Sequence, residues 1–150
     1  DVHGSRGLGD VYKRQPIYSI DYENEKGIPE KAFKFKEIIK SADGIIISFA
    51  EHNSVYTAAF KNIFDWISRI EKIVWYNKPM LLLSTSDGSR GAKTVLEIAY
   101  KRISRGNPHS IPTFSLPNFD DNFEINKGIT NSKLNKEFKK SLELFTLNLS

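Results

Sequence analysis

Apolar residues along this chain follow two rhythms. Gly44 to Ala50 is a short, isoleucine-rich run of the kind a strand covered on both faces requires. Met80 to Leu83 is a second compact run, and Ile111 to Phe114 a third, which Pro112 assigns to a sheet edge. Between these runs the spacing turns helical. Ala32, Phe35 and Ile39 form a stripe behind Pro29 and Glu30, which suit a first helical turn. Ala59, Ile63, Trp66 and Ile70 form the next stripe, and Asn53 or Ser54 can cap that helix. Ala92, Val95, Leu96, Ala99 and Ile103 form another, ended by Gly106-Asn107-Pro108, and Leu134, Phe138, Phe145 and Leu149 the last. Three stretches read as polar loop or connector: Tyr22 to Ile28, Glu71 to Lys78, and Leu116 to Thr130 with Pro117, Phe119 and Phe123.

Strands alternating with helices predict an α/β fold with a parallel sheet between helical layers. In such sheets ligands bind where strand carboxyl ends meet helix amino ends. Two polar segments occupy that position, Ala50 to Ser54 and Ser84 to Gly91.

Composition narrows the chemistry. A chain of 150 residues is at most one domain. It has no cysteine, which excludes disulfides, zinc–thiolate sites and thiol nucleophiles. The formal charge of +4 is spread along the chain instead of clustered, so no nucleic-acid footprint is expected. No run approaches a membrane span, no membrane partner is expected, and a cytoplasmic location is the default. His3, His52 and His109 lack ligand spacing, so no metal site is expected. There is no Gly-x-Ser-x-Gly elbow, and Asp120, Asp121 and Glu124 read as a solvated acidic cluster. No side chain is therefore assigned a catalytic role.

The segment from Ala42 to Arg69, ADGIIISFAEHNSVYTAAFKNIFDWISR, resembles the NADPH-dependent FMN reductase family of flavodoxin-like proteins, which includes quinone, azo-dye and chromate reductases. The family pattern is an apolar strand, a Pro-Glu-Tyr-Asn loop, and a helix with Lys-Asn-x-x-Asp-Trp-x-Ser-Arg. Here the helix keeps Lys61, Asn62, Asp65, Trp66, Ser68 and Arg69. In the loop Ala50 replaces proline and His52 replaces tyrosine. A second family pattern, Ser-Pro-Gly-x-x-Gly-Gly, agrees at Ser86, Gly88 and Gly91 and departs at Asp87 and Ala92. The tail from Phe114 through Ile129 also looks like that of bacterial members.

The resemblance implies a flavodoxin-like three-layer α/β/α fold over residues 16–150, with parallel strands in the order 2-1-3-4-5 and the first strand and phosphate loop missing. It implies FMN as cofactor and NAD(P)H as co-substrate, with hydride passing through FMN to a quinone, azo compound, flavin or similar acceptor. Ala50, Glu51, His52, Asn53, Ser86 and Gly88 would hold the flavin ring. Arg90 reads as solvated, and Asp65 and Arg69 as an i,i+4 ion pair. A homodimer or homotetramer is expected, with Trp75 and Tyr76 as interface candidates. The alternative is a flavin-binding or electron-transfer module without NAD(P)H turnover; a third possibility is a scaffold that binds no flavin.

Residues 1–15 read differently. Gly4-Ser5-Arg6-Gly7-Leu8-Gly9 is glycine-rich, but no strand pattern precedes it and no helix pattern follows, so it fails as a phosphate loop. Ser5 to Gln15 looks like one reading frame of a transposon-end adapter used in library preparation. Residues 1–15 are accordingly expected to be a non-native leader.

Overall fold

In the computed structural model, which describes residues 15–149, the elements along the chain are α1 (Ile20–Lys26), α2 (Glu30–Ser41), β1 (Ile45–Phe49), β2 (Glu51–His52), β3 (Val55–Tyr56), α3 (Ala58–Ile70), β4 (Met80–Thr85), α4 (Lys93–Ile103), β5 (Thr113–Leu116), α5 (Phe119–Asn122), β6 (Phe123–Glu124), β7 (Gly128–Ile129) and α6 (Ser132–Leu147). The expected leader and its glycine-rich element lie, up to Arg14, outside the described residues. The elements fall into two compact units, residues 42–57 with 77–149 and residues 15–41 with 58–76.

The first unit contains the sheet. β1, β4 and β5 are parallel in the order β1-β4-β5, with Ile45 opposite Met80 and Leu82 opposite Thr113. This is the 3-4-5 portion of the expected flavodoxin-like order. Successive side chains on a strand point to opposite faces, which locates the helices. On one face, Ser84 and Ser115 donate hydroxyl hydrogen bonds to the Gly91 carbonyl at the entry to α4, at 2.8 and 2.7 Å. On the other, the Phe114 ring lies 5.3 Å from that of Phe138 on α6. Gly44 shares this second face; a β-carbon there would run into Leu149 and lie 2.8 Å from the Phe145 ring. The sheet is therefore flanked by α4 and α6 on opposite sides, a three-layer arrangement. Every residue of the α4 stripe is buried, Val95 and Ala99 completely.

The third strand begins two residues later than the apolar run suggested, at Thr113. Pro112 stays outside the strand, where its carbonyl still accepts from the Leu82 N–H at 3.1 Å. β5 is an edge of the sheet, as Pro112 indicated.

The second unit is helical. α2 buries Ala32, Phe35 and Ile39 as its stripe requires, and α3 buries Ile63, Phe64, Trp66 and Ile67. Two expectations fail here. Tyr22 to Lys26 belongs to a helix, α1, not a loop. The Ser19 hydroxyl accepts from the Tyr22 N–H, and Gly27 ends the helix at φ +75°. It buries no residue, so no apolar stripe announced it. Asp65 does not pair with Arg69. It pairs with Lys61 at 2.7 Å, while Arg69 reaches Glu23 on α1 at 2.9 Å. A reading that saw no helix at 20–26 had no Glu23 to offer Arg69.

Trp75 is buried and stacks on Phe64 at 5.8 Å, so it is no exposed interface residue. Tyr76 is engaged as well: Lys36 Nζ sits 3.8 Å from its ring centroid and donates to the Val74 carbonyl at 2.8 Å. Lys36 is itself buried, and that burial lowers its pKa. Burial and a hydrogen bond to Glu71 push the Tyr76 phenol up to about 12.

Candidate functional site

Because β1, β4 and β5 are parallel, their carboxyl ends share one rim. Phe49 lies opposite Ser84, and Thr85 opposite Leu116. The segments that leave those ends are consequently neighbours, and all belong to the same unit. Two of them are the segments singled out in the sequence.

The first does not run straight into a helix. Glu51 and His52 pair with Tyr56 and Val55 in a two-residue hairpin. Asn53 and Ser54 form its turn at φ +51° and +64°, the double left-handed geometry that matches strand twist. Neither residue caps α3, which starts at Ala58. The expectation of a cap rested on side-chain type, and the same residues serve a tight hairpin because Asn tolerates positive φ. Ala50 is exposed at the rim, whereas His52 and Asn53 are exposed on the projecting hairpin. Packing against α4 supports the hairpin through β3, and the Tyr56 ring lies 5.8 Å from Phe49.

The second segment is a turn fixed by its surroundings. Its Ser86 N–H donates to the Leu116 carbonyl, and the Gly91 N–H to Gly88. Gly91 adopts φ +57°; a β-carbon on it would strike Ser115 Oγ and approach Pro117 N within 2.9 Å. Glycine is required there on both counts. At Gly88 the opposite holds. A β-carbon would meet nothing nearer than Ser86 Oγ at 3.7 Å, so the backbone there faces open space.

Glu51 ties the first segment to the helix that follows the second. Its Oε2 accepts from the Val95 N–H in the first turn of α4, at 2.9 Å. The residue preceding α4, Ala92, has no side chain to do this and sits at φ +56°. Helix amino ends leave backbone N–H groups without intrahelical partners, and a carboxylate also complements the helix dipole. Glu51 thus caps α4 from another element. Sequence reasoning placed Glu51 at the site but missed this role, because nothing in local spacing links residue 51 to residue 95.

A third segment meets the rim. The Phe119 N–H donates to the Ser86 carbonyl at 3.1 Å, and the Asn118 N–H to the Gly88 carbonyl at 3.2 Å. The loop after β5 therefore hangs from the turn after β4. Of the six residues expected at the site, Ala50, Glu51, Ser86 and Gly88 lie along the shared rim, and His52 and Asn53 project beyond it.

The residues present fit the flat ring of a flavin. Two backbone turns border the rim without large side chains, at Ala50 and at Gly88, and Glu51 fixes the hairpin beside the first to α4. Among the described residues no group of His, Cys, Asp or Glu is arranged to hold a metal, and no helix is long and apolar enough to cross a membrane.

Comparison with known proteins shows the family and the fold. The profile of a family described as NADPH-dependent FMN reductase matches residues 7–119. The chain is 40% identical over 77 residues to a 2-hydroxy-1,4-benzoquinone reductase from a Burkholderia species, covering 51% of this chain and 41% of that protein. It is 30% identical over 142 residues to an NADPH:quinone oxidoreductase from Arabidopsis thaliana, covering 89% of this chain and 71% of that protein. Among solved structures, the FerB flavoenzyme from Paracoccus denitrificans, an NAD(P)H:(acceptor) oxidoreductase, superimposes with a TM-score of 0.69. It is 22% identical over 95% of this chain and 76% of that one, a likeness of fold. The chain thus spans less than half the length of the bacterial quinone reductase it matches.

Proposed function

This chain belongs to the NADPH-dependent FMN reductase family, and from that premise we propose that it is the ring-binding part of an FMN-dependent NAD(P)H oxidoreductase acting on a quinone, azo compound, flavin or similar small acceptor. When bound, FMN supplies the redox chemistry, taking two electrons as hydride from NAD(P)H and passing them on. The chain contributes binding and orientation. Backbone amides around Ala50, the Ser86 hydroxyl and the open backbone at Gly88 would meet the ring edge, with His52 and Asn53 flanking it from the hairpin. Glu51 would act on the ring by fixing the hairpin against α4.

The observation that supports this reading is the Glu51–Val95 hydrogen bond, which ties the hairpin after β1 to the helix that follows the turn after β4. A cytoplasmic location and self-association into a homodimer or homotetramer belong to the same proposal, with the interface elsewhere than Trp75.

The test is FMN titration of the protein extended to the full length of its relatives, followed by quenching of flavin fluorescence. Glu51→Ala is expected to weaken FMN binding roughly tenfold, the scale of one part-buried hydrogen bond to a charged group, and Glu51→Gln to restore most of the loss by keeping an acceptor. Anaerobic mixing with NADPH should then bleach the flavin absorbance. Binding without bleaching would favour an electron-transfer module. A full-length protein that stays colourless with excess FMN overturns the reading.

A further inference from the structure

The loop from Pro117 to Thr130 has no role in the reading so far, yet it is built with care. It carries α5 and the β6–β7 ladder, in which Phe123 pairs with Ile129. Asn122 Nδ2 donates to the carbonyls of Pro117 and Asn118 at 3.0 and 3.3 Å, and its own carbonyl accepts from the Thr130 N–H. Asn135 Nδ2 on α6 donates to the Ile129 carbonyl at 3.1 Å. Asn118 adopts φ +45°, a left-handed conformation that asparagine tolerates, and its N–H donates to the Gly88 carbonyl. The loop is fixed at both ends, and at its rim end it is fixed to the same turn that offers Ser86 and Gly88.

This frame presents two aromatic rings. Phe119 and Phe123 are stacked with centroids 4.8 Å apart and planes 19° from parallel. Both are only half-buried, unlike Phe114 and Phe145 of the core, which are 8% and 5% exposed. Rings that served packing alone would gain by full burial. A rigid, offset-stacked pair with accessible ring surface is instead suited to extending the stack with a third flat ring.

We propose that Phe119 and Phe123 form the platform on which a planar aromatic electron acceptor rests. The acceptor class rests on the reductase reading, since the platform adjoins the turn expected to border the flavin. The position assigns selectivity for ring-shaped acceptors over non-aromatic ones to these two residues.

The experiment uses the full chain with isotopically labelled phenylalanine, without FMN. 1,4-Naphthoquinone is titrated in, and a saturated bicyclic diol of similar size is the control. Ring resonances are assigned from their disappearance in Phe119→Leu and Phe123→Leu. The quinone is expected to shift both rings upfield and the diol to leave them in place. Phe119→Leu should weaken quinone binding about five- to tenfold, the loss of one aromatic stacking contact. Shifts with both compounds, with neither, or only at other phenylalanines overturn the proposal. If the variants fail to fold, the ten phenylalanines of the wild-type chain still give the comparison between quinone and diol. FMN titration of the protein extended to the full length of its relatives is read separately. Ring shifts without FMN uptake would sink the reductase reading and leave the platform, and FMN uptake without ring shifts would do the reverse.

Discussion

Single residues here act mainly by what they hold. Glu51 caps a helix and Lys36 fixes a turn, and neither partnership is local in sequence. The Lys36–Tyr76–Glu71 group also gives the chain a pH signature. The Tyr76 phenol, raised to about 12 from 10.0, is favoured in its neutral form by the fold. Its contribution to stability is fully present below pH 10 and is lost as pH climbs toward 12. Lys36 acts in the opposite sense. Its folded pKa lies below 10.5, so burying the charged form costs stability, and that cost is relieved as pH approaches 10.5. Comparing wild type with Tyr76→Phe separates the two, because the lysine and an aromatic ring remain in both. Denaturant midpoints measured from pH 8 to 12 should fall steeply above pH 10 for wild type and less steeply for the variant. Equal slopes would mean the phenol is not perturbed. The buried lysine was invisible in the sequence, since its partners are backbone carbonyls 37 and 38 residues away.

The helix motif Lys-Asn-x-x-Asp-Trp-x-Ser-Arg acquires a meaning at the level of elements. Asn62 Oδ1 accepts from the Tyr18 N–H at 2.8 Å, and Asn62 Nδ2 and Trp66 Nε1 both donate to the Pro16 carbonyl, at 3.0 and 2.8 Å. Tyr18 and Tyr22 set their rings edge-on to Trp66, at 5.0 and 5.8 Å. Arg69 holds Glu23. The motif is a clamp by which α3 grips the segment leading into α1. The Trp66 stripe and the α3 helix were readable from periodicity, but the clamp was not, because its other jaw carries no regular pattern. Asn62→Ala removes a donor and an acceptor together and should cost about 1–3 kcal/mol. Urea unfolding of Asn62→Ala checks the size of that loss, and an unchanged midpoint would contradict the clamp.

For the molecule as a whole, exposed apolar surface on the α6 side of the sheet predicts self-association. Ile46 of β1 is 53% exposed, and Leu147 of α6 is 71% exposed. β1 is also an edge of the sheet among the described residues. Unpaired edges and exposed apolar side chains both invite other chains. Sedimentation of the wild-type chain should show concentration-dependent assembly, and Ile46→Thr with Leu147→Gln should shift it toward monomer at unchanged helix content; identical profiles would refute this. What the sequence by itself determined was the three parallel strands of the main sheet, most of the helical stripes, and the two polar segments at the rim. These follow from local periodicity and from where Gly and Pro stand, which act within a few residues. Only the tertiary structure decided that Asn53 and Ser54 turn a hairpin, that Glu51 caps a helix 42 residues on, and that Phe119 hangs from Ser86. Those outcomes depend on which backbone groups the fold brings within hydrogen-bond reach, and that proximity is written in no single stretch of chain.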